Sequence, residues 1–593
     1  MIGNLLQKNN LLKKDNLIVF IFIFIGLIVC LIADDYLLYV ATSWLIFGIL
    51  GLSLDLLWGK AGILSLGQTI FYGLGGYAGA VTSINFSSTI GNTFILALPI
   101  GIFVGVLTAG IIGYFIFYGR MGELQTTILT YAAVLVAWTS TLTFSYTFGE
   151  AKVAGDNGLS NIPSMILSFG EGVSELSEKG MFLSLLLISV LLLIGCQRLI
   201  KMPFGKVIEC IRQDSHKTEL LGYDIRKYQT ILFMISGGIA GLGGALFALW
   251  GNYLNPSMFS VTEALLVPIY VLVGGIGTLV GPFLGAISIG ALSFYLGGFS
   301  GGQATLVIGI ILILMVLFFD KGIMGIILSI VNKFIKKPFR EEAIEINIGK
   351  YNIAITSRWK KIRTDQVFKS FGGVIPVNNI DLEFNAGTTC IIGPNGAGKS
   401  SFLKVCTGIY PIDNGKVFLD SLDITNYELH DRVKQGIGIK MQKPQVFKSF
   451  SIKENIWISA YSKTRNVSLT NKTTNDLLEI FGGKKQGHRS ADSLSHGEQQ
   501  WLDIIMVLAL EPSVICLDEP AAGMTKGERR KLSTLINILS KTRTIILVEH
   551  DMDFVKSLNP KVAVLHQGSL FTTGNIDEVC QNENVLDIYL GRK

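Results

Sequence analysis

Thr388-Thr389-Cys390-Ile391-Ile392-Gly393-Pro394-Asn395-Gly396-Ala397-Gly398-Lys399-Ser400 decides the fold of the second half of the chain. Its first five residues read as a buried strand, and the rest satisfies G-x-x-x-x-G-K-[ST] at every constrained position ahead of a helical run. Glycines free the backbone N–H groups to wrap phosphates, and a helix N-terminus favours their charge. Gly393, Pro394, Asn395, Gly396, Ala397, Gly398, Lys399, Ser400 and Ser401 are therefore expected to cradle ATP. Lys399 would reach the β/γ oxygens and the Ser400 hydroxyl would ligate Mg2+.

Two later strands end in chemistry. Residues 514–518 close on Asp518, followed by Glu519, and carboxylates at the C-terminal edge of a parallel sheet are where magnesium and water chemistry is placed. Asp518 is expected to be the magnesium-side acid and Glu519 the base for the attacking water. A third strand, from 545, places His550 at the same edge, within reach of a γ-phosphate.

Ahead of this domain the composition changes. The 593 residues are 50% hydrophobic but only 16% charged, against about 25% charged in a soluble domain, which excludes a purely soluble enzyme and points to lipid. Mean hydropathy is +0.50. A net charge of +6 over this length argues against a nucleic-acid partner. Seven cysteines, an odd number without a CxxC pair, read as reduced structural thiols. Between residues 17 and 319 about ten apolar stretches are long enough to cross a ~30 Å hydrocarbon core, starting near Leu17, Leu37, Ile63, Thr93, Leu124, Met181, Thr230, Ala264, Leu284 and Thr305.

Charge tests that count independently, because short cytoplasmic loops collect Lys and Arg. Lys8, Lys13 and Lys14 put the N-terminus inside, as do Lys60, Arg120, the run from Arg198 through Lys206 and Lys217 to Lys227, and the tail from Lys333 to Arg340 for their own segments. Residues 149–180, with Glu150, Asp156, Glu171, Glu175 and Glu178, fall outside. Glycines such as Gly75, Gly79, Gly237, Gly241 and Gly244 are expected to let helices approach closely. Gly275, Gly277 and Gly281 miss a dinucleotide-loop spacing. Asp55 and Glu263 are the main charges within this region and read as solvated at the interface; so little fixed charge suits a neutral or zwitterionic solute.

The predicted architecture is multi-domain: an all-α polytopic membrane bundle at 1–330, a basic linker at 331–363, and an α/β P-loop ATPase domain at 364–593.

Leu494-Ser495-His496-Gly497-Glu498 resembles the signature motif of ABC transporters, with His496 in place of a glycine and Glu498 in place of glutamine. The resemblance implies that Ser495 and Gly497 bind nucleotide and that Gln442 is the Q-loop glutamine, a further magnesium ligand. It also implies a D-loop at 521–524, His550 as switch histidine and Phe371 as the aromatic that stacks on adenine, with Phe368 a competitor. Gly51-Leu52-Ser53-Leu54-Asp55 through Leu64-Ser65-Leu66-Gly67-Gln68, and the segment from Met202 to Gly222, resemble permease subunits of importers for branched-chain amino acids and urea, in which the latter segment carries the helix that docks on the ATPase. Gln442-Lys443-Pro444-Gln445-Val446-Phe447, the histidine-bearing signature and Tyr589-Leu590-Gly591-Arg592 look closest to the urea branch. The expectation is thus a permease–ATPase fusion driving urea uptake, with branched-chain amino acids or short amides as the alternative. An ABC exporter remains a different class, though exporters with this domain order usually have six long spans. The implied partners are the membrane of a bacterium, inner or plasma, a second and different permease/ATPase pair, and an extracytoplasmic solute-binding protein.

Overall fold

The computed structural model describes residues 2–87, 92–169, 172–299, 309–310, 313, 321–333, 344–350 and 359–585. The chain divides into two compact units: 1–212 with 226–339, and 213–225 with 340–593.

The first unit is helical. Among the described residues, five helices are long and apolar enough to cross a membrane: Asp35–Ala61, Phe94–Tyr118, Glu123–Thr143, Glu178–Lys201 and Ile225–Gly251. Shorter or less apolar helices stand where four more spans were expected, at Ile2–Ile32, Gln68–Phe86, Val261–Gly274 and Gly281–Phe299. The tenth expected span, near Thr305, begins outside the described residues. Burial sorts the five long helices: in the most apolar 18-residue stretch of each, 72% is buried in Asp35–Ala61 and 78% in Ile225–Gly251, against 44% in Glu178–Lys201, 22% in Phe94–Tyr118 and 17% in Glu123–Thr143, so the first two lie in the core and the last two carry the apolar faces that suit lipid.

Glycine makes that core possible. A Cβ at Gly75 would stand 2.4 Å from the Gly241 Cα, one at Gly105 2.3 Å from the Gly237 carbonyl oxygen, and one at Gly244 1.8 Å from the Tyr72 carbonyl oxygen. Backbones meet there, and any side chain would push the helices apart. Gln68, which ends the permease-like motif, accepts a hydrogen bond from the Ser53 hydroxyl at 3.0 Å, tying two core helices together.

Asp55 corrects the expectation of a solvated interfacial charge. It is fully buried, and its carboxylate accepts the backbone N–H of Gly277 at 2.5 Å and of Leu279 at 2.9 Å. Both residues have positive φ, +77° and +62°, so the acid pins a turn that an L-residue such as Leu279 adopts at a cost. The glycines that resemble a dinucleotide loop therefore serve as an anchored membrane turn. In and just before residues 149–180 stand two antiparallel strand pairs, Ser145–Phe148 with Ala151–Ala154 and Ile166–Phe169 with Gly172–Glu175.

In the second unit a six-stranded sheet runs in the order Ile437–Lys440, Val514–Asp518, Thr544–Val548, Gly387–Ile392, Lys561–His566, Ser569–Asn575. The first five are parallel and the last antiparallel. The central strands are apolar and wholly buried, as a sheet covered on both faces requires. An antiparallel four-stranded sheet, Val374–Phe384, Ile362–Phe371, Asn414–Leu419, Leu422–Asp423, completes the α/β domain.

Residues 213–225 belong to this unit. The Tyr223 hydroxyl donates to the Ile458 carbonyl at 2.7 Å, the Ser462 hydroxyl donates to the Leu221 carbonyl, and Lys217 pairs with Asp503.

Candidate nucleotide site

The cradle follows strand Gly387–Ile392 and leads into helix Lys399–Thr407. Gly396 and Gly398 have φ of +81° and +92°, and a Cβ at Gly398 would meet the Pro376 carbonyl oxygen at 1.9 Å, so only glycine fits there. Ala397 is buried, with its N–H on the Pro394 carbonyl oxygen at 3.2 Å. The Lys399 ammonium donates to the carbonyl oxygens of Gly393, 2.8 Å, and Pro394, 2.9 Å, so the loop closes on its own cation. Burial lowers the Lys399 pKa, with Glu519 and Asp518 pulling the other way.

Parallel strands deliver the acids to the same edge. The Ser400 hydroxyl donates to Asp518 at 3.0 Å. Asp518 is 3% exposed, and burial raises its pKa. Glu519 has a left-handed φ of +43°, a strained conformation for a side-chain-bearing residue, held by its N–H on the Val548 carbonyl at 2.9 Å. The Gln442 amide donates to one Glu519 oxygen at 2.8 Å, and the His550 Nδ1 lies 3.7 Å from the other. Lys399, Ser400, Gln442, Asp518, Glu519 and His550 are thus brought together.

Ser495 and Gly497 sit elsewhere in the domain. Ser495 caps helix His496–Leu508 in a reciprocal box: its hydroxyl accepts the Glu498 N–H at 3.3 Å and the Glu498 carboxylate accepts the Ser495 N–H at 2.8 Å. Glutamate at 498 therefore keeps a cap that glutamine would also make. A Cβ on Gly497 would come within 3.0 Å of Glu528, and one on Gly523 within 2.8 Å of the His496 ring, so the imidazole fills the space over the D-loop glycine. No hydrogen bond joins Ser495 or Gly497 to the phosphate cradle among the described residues. Phe371 is exposed and meets Tyr410 edge-on at 5.0 Å, while Phe368 is half-buried.

Three groups have no role in the sequence reading. Glu549, 2% exposed, accepts the N–H groups of Ala521 and His550 at 3.1 Å each, so it ties the segment after Glu519 to His550. Lys440, fully buried, has its pKa pushed down to about 8 by burial against the pull of Asp503 and Asp518. Tyr410 is the third. Glu549 directly precedes His550 and was within reach of the sequence; Lys440 carries no sequence signal beyond a cation ending a strand.

Fold and site define an ABC transporter. Residues 36–318 match the family described as branched-chain amino acid transport system / permease component, and 377–522 match the ABC transporter family. The high-affinity branched-chain amino acid transport ATP-binding protein LivG of Escherichia coli K12 is 30% identical over 241 residues, 37% of this chain and 94% of LivG. BraF of Pseudomonas aeruginosa, of the same description, is 29% identical over 239 residues, 37% of this chain and 94% of BraF. The ribose import ATP-binding protein RbsA of Caldanaerobacter subterraneus is 31% identical over 233 residues, 38% of this chain and 47% of RbsA. A solved nucleotide-free cassette from an ABC transporter is 27% identical, covering 39% of this chain and 98% of its own, with a TM-score of 0.35. The chain belongs to the branched-chain amino acid transporter family of ABC importers, as a multi-pass permease fused to a soluble ATPase domain.

Proposed function

We propose that this chain imports a branched-chain amino acid, as one permease–ATPase half of a larger assembly. The match of residues 36–318 to a branched-chain amino acid permease component carries this reading, since the permease is the part that meets the solute. LivG and BraF agree with it; RbsA is a reminder that the ATPase likeness crosses substrates. Urea, expected from resemblance, has no support among these relatives. The remaining domain bounds (1–330, 331–363, 364–593), the different second pair, the solute-binding protein and the cytoplasmic placement of the ATPase are part of the same proposal.

In the ATPase, nucleotide phosphates draw Lys399 away from the Gly393 and Pro394 carbonyls. Ser400, Gln442 and Asp518 offer oxygen ligands of the kind Mg2+ takes, and the buried Asp518 carboxylate, with one hydroxyl donor, fits beside a dication. Bound there, Mg2+ would neutralise phosphate charge. Glu519, oriented by Gln442, takes the proton of the attacking water, and His550 contacts the γ-phosphate. Ser495 and Gly497 face the nucleotide of the opposing ATPase, and Phe371 with Tyr410 stacks on adenine. Cells with and without this gene, given labelled leucine or urea at micromolar concentration, test the reading: leucine uptake should vanish on deletion, and loss of urea uptake alone would overturn it.

A further inference from the structure

Within the first unit, a cavity of about 250 Å3 lies between helices Asp35–Ala61, Gln68–Phe86, Ile225–Gly251 and Val261–Gly274, with Tyr253 and Asn255 in its lining. At ~30 Å3 per water it holds about eight, enough room for a small amino acid. Its wall is aromatic. Phe247 lies 5.8 Å from Tyr72 and 5.4 Å from Trp250, and Trp250 stacks on Tyr39 at 4.5 Å.

Glu263, in the first turn of its helix, lines the cavity, partly buried rather than solvated at the interface as the sequence suggested. A carboxylate that shares a cavity with aromatic rings suits an ammonium: the acid supplies the charge and the ring faces the quadrupole. Beside it, Phe47, Leu50 and Met258 offer apolar surface.

We propose that this cavity is a binding site for a small zwitterion in transit, its ammonium on Glu263 and against the rings, its apolar side chain on Phe47, Leu50 and Met258. The proposal rests on the reading of the chain as an amino-acid importer and adds where the solute is recognised and by which group. The ammonium is the selected feature, and neutral urea lacks it.

The test uses the full chain purified with its partner subunits, without the solute-binding protein, and measures equilibrium binding of labelled leucine with two unlabelled competitors. Isoamylamine keeps the apolar tail and ammonium; 4-methylpentanoate keeps the tail and carboxylate. Leucine should bind, isoamylamine should compete and 4-methylpentanoate should compete at least tenfold less well. Glu263→Gln should weaken leucine at least tenfold and erase the preference for the amine. Unchanged binding in Glu263→Gln, or equal competition by the two analogues, overturns the site. If Glu263→Gln does not assemble, the competition of the two analogues on the unaltered complex still decides, and equal competition there overturns it. Failure of the importer reading is seen separately, as leucine uptake by cells that does not depend on the gene.

Discussion

Lys217 and Asp503 form an ion pair from which water is excluded, each side chain being 1% exposed. Lys217 lies in the short helix Ser215–Leu220, inside the permease match yet part of the ATPase unit, and Asp503 on the helix that begins with the signature motif. The other Asp503 oxygen accepts the Gln445 N–H at 3.2 Å, three residues beyond Gln442. One carboxylate thus joins the helix Ser215–Leu220, the segment after Gln442 and the helix His496–Leu508.

Removing one partner of a buried pair strands the other charge, at a cost of about 3–5 kcal/mol, whereas replacing both with apolar groups is often neutral. Lys217→Met should therefore lower the melting temperature of the purified complex and reduce its ATP hydrolysis. Lys217→Met with Asp503→Leu should recover most of the melting temperature. A double variant as unstable as the sum of the singles would show that the pair is not the coupled unit described.

Glu519→Gln keeps the hydrogen bond to Gln442 but cannot take a proton, so hydrolysis at this site should fall by about 10^2–10^4 with nucleotide binding retained. Lys399→Ala should lose both. Single-turnover kinetics at the isolated site separates the two, and wild-type-like turnover in Glu519→Gln would remove it from its role.

Gly523 has φ +74°, and a methyl group there would meet the His496 ring at 2.8 Å. Gly523→Ala should cost about 1 kcal/mol or more from backbone strain plus a clash that His496→Gly relieves. Thermal melting of the two single variants and the double variant measures the coupling; additive losses would mean the ring does not pack on the D-loop.

Lys440 bears on alkaline pH. Its pKa falls from 10.5 in the unfolded chain to about 8 in the fold, so the folded state binds fewer protons between those values. Stability contributed by this group should therefore rise as pH climbs from about 8 to about 10.5, the cost of burying its charge being full below 8. Lys440→Met should be free of that cost and lose the alkaline slope in the melting temperature of the complex. An unchanged slope would mean the charge is not buried.

Why some of this was legible in the sequence and some was not follows from the range of the interactions. The cradle from Gly393 to Ser400 is contiguous, and strands 514–518 and 544–548 announce their edge by Asp518 at the end of one and His550 two residues past the end of the other. The glycine seam was legible because a missing side chain has one common use between membrane helices. Asp55 was misread because its partners are backbone groups more than 220 residues away, which no local pattern encodes. Lys217 counted as one more cytoplasmic positive charge; its burial depends on a carboxylate 286 residues downstream. Glu549 was given no role, since its work is to hold backbone N–H groups, one of them 28 residues away.

The central claim, that this chain couples ATP hydrolysis to inward movement of a branched-chain amino acid, is tested most directly in vesicles. The full complex is reconstituted with its binding protein in the lumen, and accessible ATPase domains outside, and loss of labelled leucine from the lumen is followed with and without external ATP. The account predicts ATP-dependent leucine movement toward the ATPase side, strongly reduced by Glu519→Gln, with labelled urea in parallel vesicles unaffected by ATP. ATP-driven movement of urea with leucine retained would contradict it.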